Sequence, residues 1–404
     1  MRHAVLIFAT FAVLAGCAEN KNDSASSAPE ATSPSAAAPV DVVSGASAPA
    51  AGGDQVIRFE SAGMQLELEE LLRTDDAVFA MEFIGPNTMI FSERRGQLKL
   101  LQLDSGEISE ISGEPQVMQP ETGGVFDVHV DPDFSENQFL YFSYVKEIGD
   151  ESAIALARAR LDNLELTGLK DLFVANNGSD DHAHWGSRVI MDSNRFLFMT
   201  VGDRHVPNNA QDPASHGGKV LRFNEDGSVP DDNPYVDVEG AAAEIWTIGH
   251  RNPQGLAFHP ESGKLFEQEH GPAGGDEVNI IEPGRNYGWP VITWGENIWG
   301  GQLPEGTERE GMEQPFRYFK PGIAPSGLNF YSAARLPGWS GSLFNSTLRG
   351  HLTRLELDGE QIVSEERLLQ NWGERLRDVV EGPDGNLYLA TETGAIARVV
   401  LASP

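Results

Sequence analysis

Residues 187–203 read SRVIMDSNRFLFMTVGD. Two runs rich in Val, Ile, Phe and Met flank the polar turn Asp192 to Arg195, and Gly202-Asp203 ends the second run. Short apolar runs bounded by Gly, Asn and Asp are strands rather than helices, so this phrase predicts a pair of antiparallel strands. The phrase recurs. It returns as VFAMEFIGPNTMIFSERRGQLKLLQL from Val78, GVFDVHVDPDFSENQFLYFSYV from Gly124, GLAFHPESGKLFEQEHGP from Gly255, SGLNFYSAARLPGWSGSLFNSTLRGHLTRLEL from Ser326 and DVVEGPDGNLYLATETGAIARVVL from Asp378. Later strands such as 97–103, 219–223, 351–357 and 395–401 complete each unit. Units of four strands that cannot bury both faces alone, repeated and stacked radially, make a β-propeller. The expected fold is therefore all-β, a six-bladed propeller with four-stranded antiparallel blades over residues 56–404. Two β-sandwiches in tandem are the alternative, disfavoured because the phrases are alike and no linker falls in mid-chain.

Outside that region the composition changes. MRHAVLIFATFAVLAGCAEN begins with basic residues, continues through an apolar run from Ala4 to Ala15 and ends in small residues before Cys17. That is a secretory signal pattern, too short to span a bilayer. Leu14-Ala15-Gly16-Cys17 also resembles a bacterial lipoprotein signal, which implies a protein exported to the periplasm and anchored by a lipid on Cys17; a plain cleaved signal is the simpler alternative. Residues 18–55 are rich in Ala, Ser, Pro and Gly, cannot bury enough apolar surface to offset ordering, and read as a flexible linker. Cys17 is the only cysteine of 404 residues, so the folded part can hold no disulfide and no thiolate metal site. A formal net charge of -32 argues against a nucleic-acid partner.

The chemistry-bearing residues sit at turns beside predicted inner strands, where a propeller brings distant segments to one mouth. His184 precedes a strand in HWGSR, and His182 stands two residues earlier; either is a candidate base, or the pair a metal site. In GHRNPQG, Arg251 offers a fork of donors for carbonyl or carboxylate oxygens, with Asn252 beside it. EHGPAGGDEVN combines main-chain carbonyls at Gly271 and Pro272 with the acids Asp276 and Glu277, a donor set suited to calcium. Arg375 and Arg377 lie at i and i+2, on one face of an extended segment, and Arg349 is a third cation; together they suit a multiply anionic ligand.

HWGSR, TVGD, GKVLRFNEDGSVPDDNP, GHRNPQGLAF, EHGPAGGDEVNIIEPGRNYGWP and RLRDV, in this order, closely resemble the glucose/sorbosone dehydrogenases, six-bladed soluble aldose dehydrogenases that use pyrroloquinoline quinone (PQQ). The resemblance implies oxidation of an aldose at C1 to the lactone, with PQQ and calcium (Ca2+) as cofactors and an unidentified electron acceptor. It implies that His184 is the general base, that Asp203 is an acid beside it, and that Arg251 polarises the quinone with Asn252 alongside. Gly271 and Pro272 would ligate the cofactor's calcium, and Arg349, Arg375 and Arg377 would face the quinone carboxylates. Asp276, Glu277 and Tyr287 resemble ligands of a second, structural calcium. Three positions depart from the family pattern: Thr122 near sugar and cofactor and Asn208 stand where glutamine is usual, and Arg349 where lysine is usual. A propeller lactonase, centred on acidic side chains, and a ligand-binding propeller without catalysis are the competing classes.

Overall fold

The computed structural model of the chain describes residues 56–117, 123–296 and 306–403. Its strands form six antiparallel sheets. Blade 1 comprises Val78–Gly85, Thr88–Glu93, Leu98–Gln102 and Ile108–Glu110; blade 2 comprises Val125–Val130, Phe139–Ile148, Glu151–Asp162 and Glu165–Val174. Blade 3 is built from Gly186–Met191, Phe196–Val201, Lys219–Asn224 and Ile245–Ile248, and blade 4 from Pro253–Phe258, Leu265–Glu269, Asp276–Ile281 and Arg317–Phe319. Blade 5 contains Pro325–Phe330, Leu343–Thr347, Leu352–Asp358 and Gln361–Leu368.

Blade 6 departs from the expected count. Leu376–Glu381, Leu387–Thr391 and Ala395–Leu401 are followed in the sheet by Met64–Arg73 and then Ile57–Ser61, giving five strands. The closing strand comes from the other end of the folded region, with Leu66 opposite Leu401 and Arg73 opposite Ala395. The ring is thus clasped by pairing between Met64–Arg73 and the last strand, which also covers the edge that Ala395–Leu401 would otherwise expose.

Apolar side chains collect between blades rather than at one centre. Six clusters fill six seams: Ile90 and Leu140 meet between blades 1 and 2, Tyr141 and Leu197 between 2 and 3, Phe198 and Leu256 between 3 and 4. Phe266 and Leu343 meet between 4 and 5, Phe344 and Leu389 between 5 and 6, and Tyr388 and Phe91 between 6 and 1. Each sheet buries both faces only because it has neighbours on both sides, so no single blade is stable alone. The signal and linker segments expected at 1–55 lie outside the described residues, as does Thr122.

Candidate active site

The register of each hairpin fixes where the candidate residues go. Gly186 pairs with Val201, Pro253 with Glu269, Pro325 with Thr347 and Leu376 with Thr391. The starts of the inner strands and the ends of the second strands therefore share one end of the ring. His184, Asp203, Arg251, Asn252, Gly271, Arg349 and Arg375 all lie one to three residues beyond those ends, and so converge on one mouth.

Arg188 closes the channel beneath it. From blade 3 its guanidinium donates to the carbonyls of Gln254 (2.8 Å), Ser326 (2.6 Å) and Arg377 (3.0 Å) and pairs with Asp127 (3.1 Å) and Asp378 (3.2 Å). One side chain thereby ties blades 2, 4, 5 and 6 to blade 3 and forms the floor of the mouth. On its far side the inner strands enclose a cavity of about 410 Å³.

At the mouth His184 and Asp203 are brought together by two glycines. A Cβ on Gly202 would lie 2.0 Å from the carbonyl oxygen of His184, and one on Gly186 would lie 2.7 Å from the nitrogen of Gly202. Only without those carbons can the two segments touch, with Gly202 N–H donating to Trp185 O at 3.0 Å. His184 takes a left-handed backbone (φ 52°), unusual for a residue with a side chain. Its Nδ1 donates to Oδ1 of Asp203 at 2.6 Å, and the other oxygen of Asp203 accepts the indole N–H of Trp289 at 2.8 Å. That pairing fixes the tautomer and leaves the lone pair on Nε2. Burial pushes the imidazole down to about 4, against the pull of Asp203. His184 is therefore neutral at neutral pH, as a base must be.

A second layer holds Trp289. Gln211 donates to its carbonyl at 2.7 Å and exchanges hydrogen bonds with Asn286. The short 3-10 helix Pro207–Gln211 is in turn fixed by Lys219, whose buried ammonium donates to the carbonyls of Asn209 (2.6 Å) and Ala210 (3.2 Å). Asn208 sits exposed on that helix.

Blade 4 contributes Arg251 and Asn252, both 7% exposed. Asn252 Oδ1 accepts Gly186 N–H (3.1 Å) and Gln254 Nε2 (3.0 Å), bridging blades 3 and 4. Arg251 donates to the carbonyls of His270 (3.1 Å) and Gly271 (2.9 Å), and its backbone N–H is held by Glu269. Among the described residues its guanidinium forms no ion pair with a carboxylate. A buried cation lacking an anion is costly, and an anionic ligand would relieve it.

Beside Arg251 lies a cavity of about 10 Å³, bounded by Glu269, Gly271, Glu277, Tyr287 and Thr293. That is room for one water or one ion. Glu277 faces Glu269 across the sheet, and burial first, then Glu269, hold its carboxyl well above the usual range. A cation between the two would reverse that. The Tyr287 hydroxyl is already committed, donating to Ile280 O at 2.6 Å, so only its main-chain carbonyl is open to a metal. Asp276 spends both oxygens on backbone, accepting Gly271 N–H (2.9 Å) and Ala324 N–H (2.6 Å); it buttresses the Gly271 turn instead of opening onto the cavity. Pro272 follows on the same turn.

The remaining cations divide. Arg377 pairs closely with Glu392 and stacks 4.5 Å from the Phe79 ring centroid, so its charge is already countered. Arg349 and Arg375 are exposed on turns at the mouth. His182 is exposed two residues before His184. Trp289, Glu269, Gln211 and Arg188 play parts that the sequence pattern did not single out. GRNYGWP did carry a signal for Trp289, an aromatic set between a glycine and a proline.

The chain belongs to the glucose/sorbosone dehydrogenase family, whose pattern matches residues 75–398. It is 37% identical to the aldose sugar dehydrogenase YliI of Escherichia coli over 334 residues, covering 80% of this chain and 90% of that protein. Quinoprotein glucose dehydrogenase B of Acinetobacter calcoaceticus is 28% identical over 396 residues, covering 76% and 82%. The apo crystal structure of the soluble aldose sugar dehydrogenase from Escherichia coli superposes with a TM-score of 0.80 at 35% identity, covering 83% of this chain and 100% of that one.

Proposed function

We propose that this protein oxidises an aldose at C1 to the lactone, using PQQ and calcium. Bound PQQ supplies the two-electron acceptor that takes the hydride from C1. The chain's own part is to bind, orient and move a proton. His184 Nε2 takes the proton of the C1 hydroxyl, Asp203 holds the imidazole and stabilises its cation, and Trp289 holds Asp203. Arg251 and Asn252 would hold the cofactor, Gly271 and Pro272 would offer carbonyls to its calcium, and Arg349, Arg375 and Arg377 would counter its carboxylates. Glu277 and the Tyr287 carbonyl, with Glu269 beside them, would hold a structural calcium in the small cavity. The quinoprotein relative supports PQQ, and the aldose dehydrogenase relative supports the substrate class.

The observation that carries this reading is the buried, neutral His184 fixed by Asp203 near a buried guanidinium that forms no ion pair among the described residues. Hydrolysis needs no such cation, which disfavours the lactonase alternative. Purified protein given PQQ and calcium should reduce a dye with aldoses, while omission of either should abolish it. Lactone hydrolysis without PQQ would overturn the reading. We further propose export to the periplasm with a lipid on Cys17; Cys17→Ser should then release the protein from the membrane fraction.

A further inference from the structure

Asp203 and Arg251 are carried by two separate loops, and one lysine stands where both leave the sheet. Lys219 opens the strand Lys219–Asn224 and pairs with Val201 on one side and Ile248 on the other. Val201 leads in two residues to Asp203, and Ile248 in three to Arg251.

The connection 202–218 folds back over that point and is tied to the second loop along its length. Asp203 N–H donates to Arg251 O (2.8 Å), Gly249 N–H to Ala210 O (2.9 Å) and His250 N–H to Gly218 O (3.1 Å). A Cβ on Gly218 would lie 2.3 Å from His250 O and 2.6 Å from the Cβ of Ala210, so glycine is what lets the helix Pro207–Gln211 come this close. The Lys219 ammonium sits inside the loop so formed. It donates to the carbonyls of Asn209 (2.6 Å), Gly217 (2.7 Å) and Ala210 (3.2 Å), and the residue is 0% exposed. It forms no ion pair among the described residues, and burial pushes it down to about 7 against the pull of Asp212. Burying a cation without an anion is costly, and an apolar side chain of the same length would fill the space without that cost. What the ammonium adds is three donors spread over one loop.

Gln211, the last residue of the helix, carries the constraint onward. It donates to Trp289 O and exchanges hydrogen bonds with Asn286, while the Trp289 indole holds Asp203. The centre of the same indole lies 5.4 Å from the guanidinium carbon of Arg251.

On the dehydrogenase reading given above, we propose that Lys219 is a positioning residue for the reaction. Its ammonium locks the loop 203–218, and through Gln211 and Trp289 it sets where Asp203, and hence His184, stands. Lys219 touches neither sugar nor cofactor in this role. Once its donors are removed, the helix loosens and Trp289 is free to turn away from Asp203.

The test uses Lys219→Met, which keeps the length of the side chain and removes the donors. In protein loaded with PQQ and calcium, kcat per active site should fall about ten-fold, with KM within about two-fold of wild type. In protein without cofactor, the Trp289 indole N–H resonance, assigned with Trp289→Phe, should leave the downfield position that a carboxylate partner gives and exchange faster with water. A lysine that only stabilises the fold would lower the melting temperature and move neither readout. Gln211→Ala breaks the middle link and should give the same two changes; it decides the matter if Lys219→Met does not fold. The double variant should be no slower than about the slower single one, because both substitutions cut one chain of contacts. An unchanged kcat, an unchanged indole signal or losses that multiply in the double variant would each overturn the proposal. Wild type that oxidises no aldose would sink the dehydrogenase reading itself, and the indole signal would still decide whether Lys219 positions Trp289.

Discussion

Blades 3 and 4 hold His184, Asp203, Arg251 and Asn252 in a continuous set of buried hydrogen bonds, whereas blades 5 and 6 present Arg349 and Arg375 on exposed turns. Both halves face one mouth, yet only the first is rigidly prepared. The difference fits what each group would do in the proposed reaction. A base and a polarising donor act over a bond length, and an error of an ångström costs them most of their effect. A cation facing a carboxylate acts over a longer range and can close on its ligand after binding. Arg377 lies between the extremes, placed by Glu392 and Phe79 before any ligand arrives.

Substitutions should divide along the same line. His184→Ala removes the base, and dye-linked turnover should fall by about 10²- to 10⁴-fold. PQQ affinity, measured by absorbance titration, should hardly change; a parallel loss of binding would show that the prepared half also serves as anchor. Asp203→Asn keeps the shape but replaces a charge-assisted bond worth about 1.5–3 kcal/mol, so kcat should drop about ten- to hundred-fold. Equal activity in that variant would remove Asp203 from the base's support. Arg375→Ala should weaken PQQ binding only a few-fold, since an exposed pair contributes up to about 1 kcal/mol, and leave kcat at saturation and the melting temperature unchanged. The smallest change is expected from pH between 5 and 7. Because burial lowers His184 to about 4, its Nε2 stays unprotonated there, and kcat/KM should lose activity only as pH falls through about 4. An acid limb near 6.5 would mean that the base is far wetter than its surroundings imply.

The inner strands were readable because their signal is local. SRVIMD and GLAFHP carry apolar runs and turn residues within about ten positions, enough to locate blades without knowing their neighbours. The mouth was legible only as separate turns, and the family resemblance supplied the roles that spacing alone left open. What escaped depends on long-range contact. Met64–Arg73 falls outside the recurring phrases, and nothing in it states that its partner is Ala395–Leu401. Asp276 reads as a metal ligand because an acid in a glycine-rich turn invites that, and nothing in the turn shows that its oxygens also accept two backbone amides from separate segments. Arg204 and His205 take left-handed backbone that composition predicts for glycine, and their sequence gives no warning of it.

The clasp in blade 6 also sets an order of assembly. Leu66 emerges early in synthesis and Leu401 almost last, so five sheets can stack while the sixth still lacks its central strands. Until then the nascent chain is an open arc with a bare apolar sheet face at each end, and the entropy of closing so long a loop is met in one late step. Arg375 and Arg377 arrive on the same final segment. A chain cut short before residue 395 would carry His184 and Arg251 yet have no closed mouth to place them in, so completing the ring and completing the candidate site are one event.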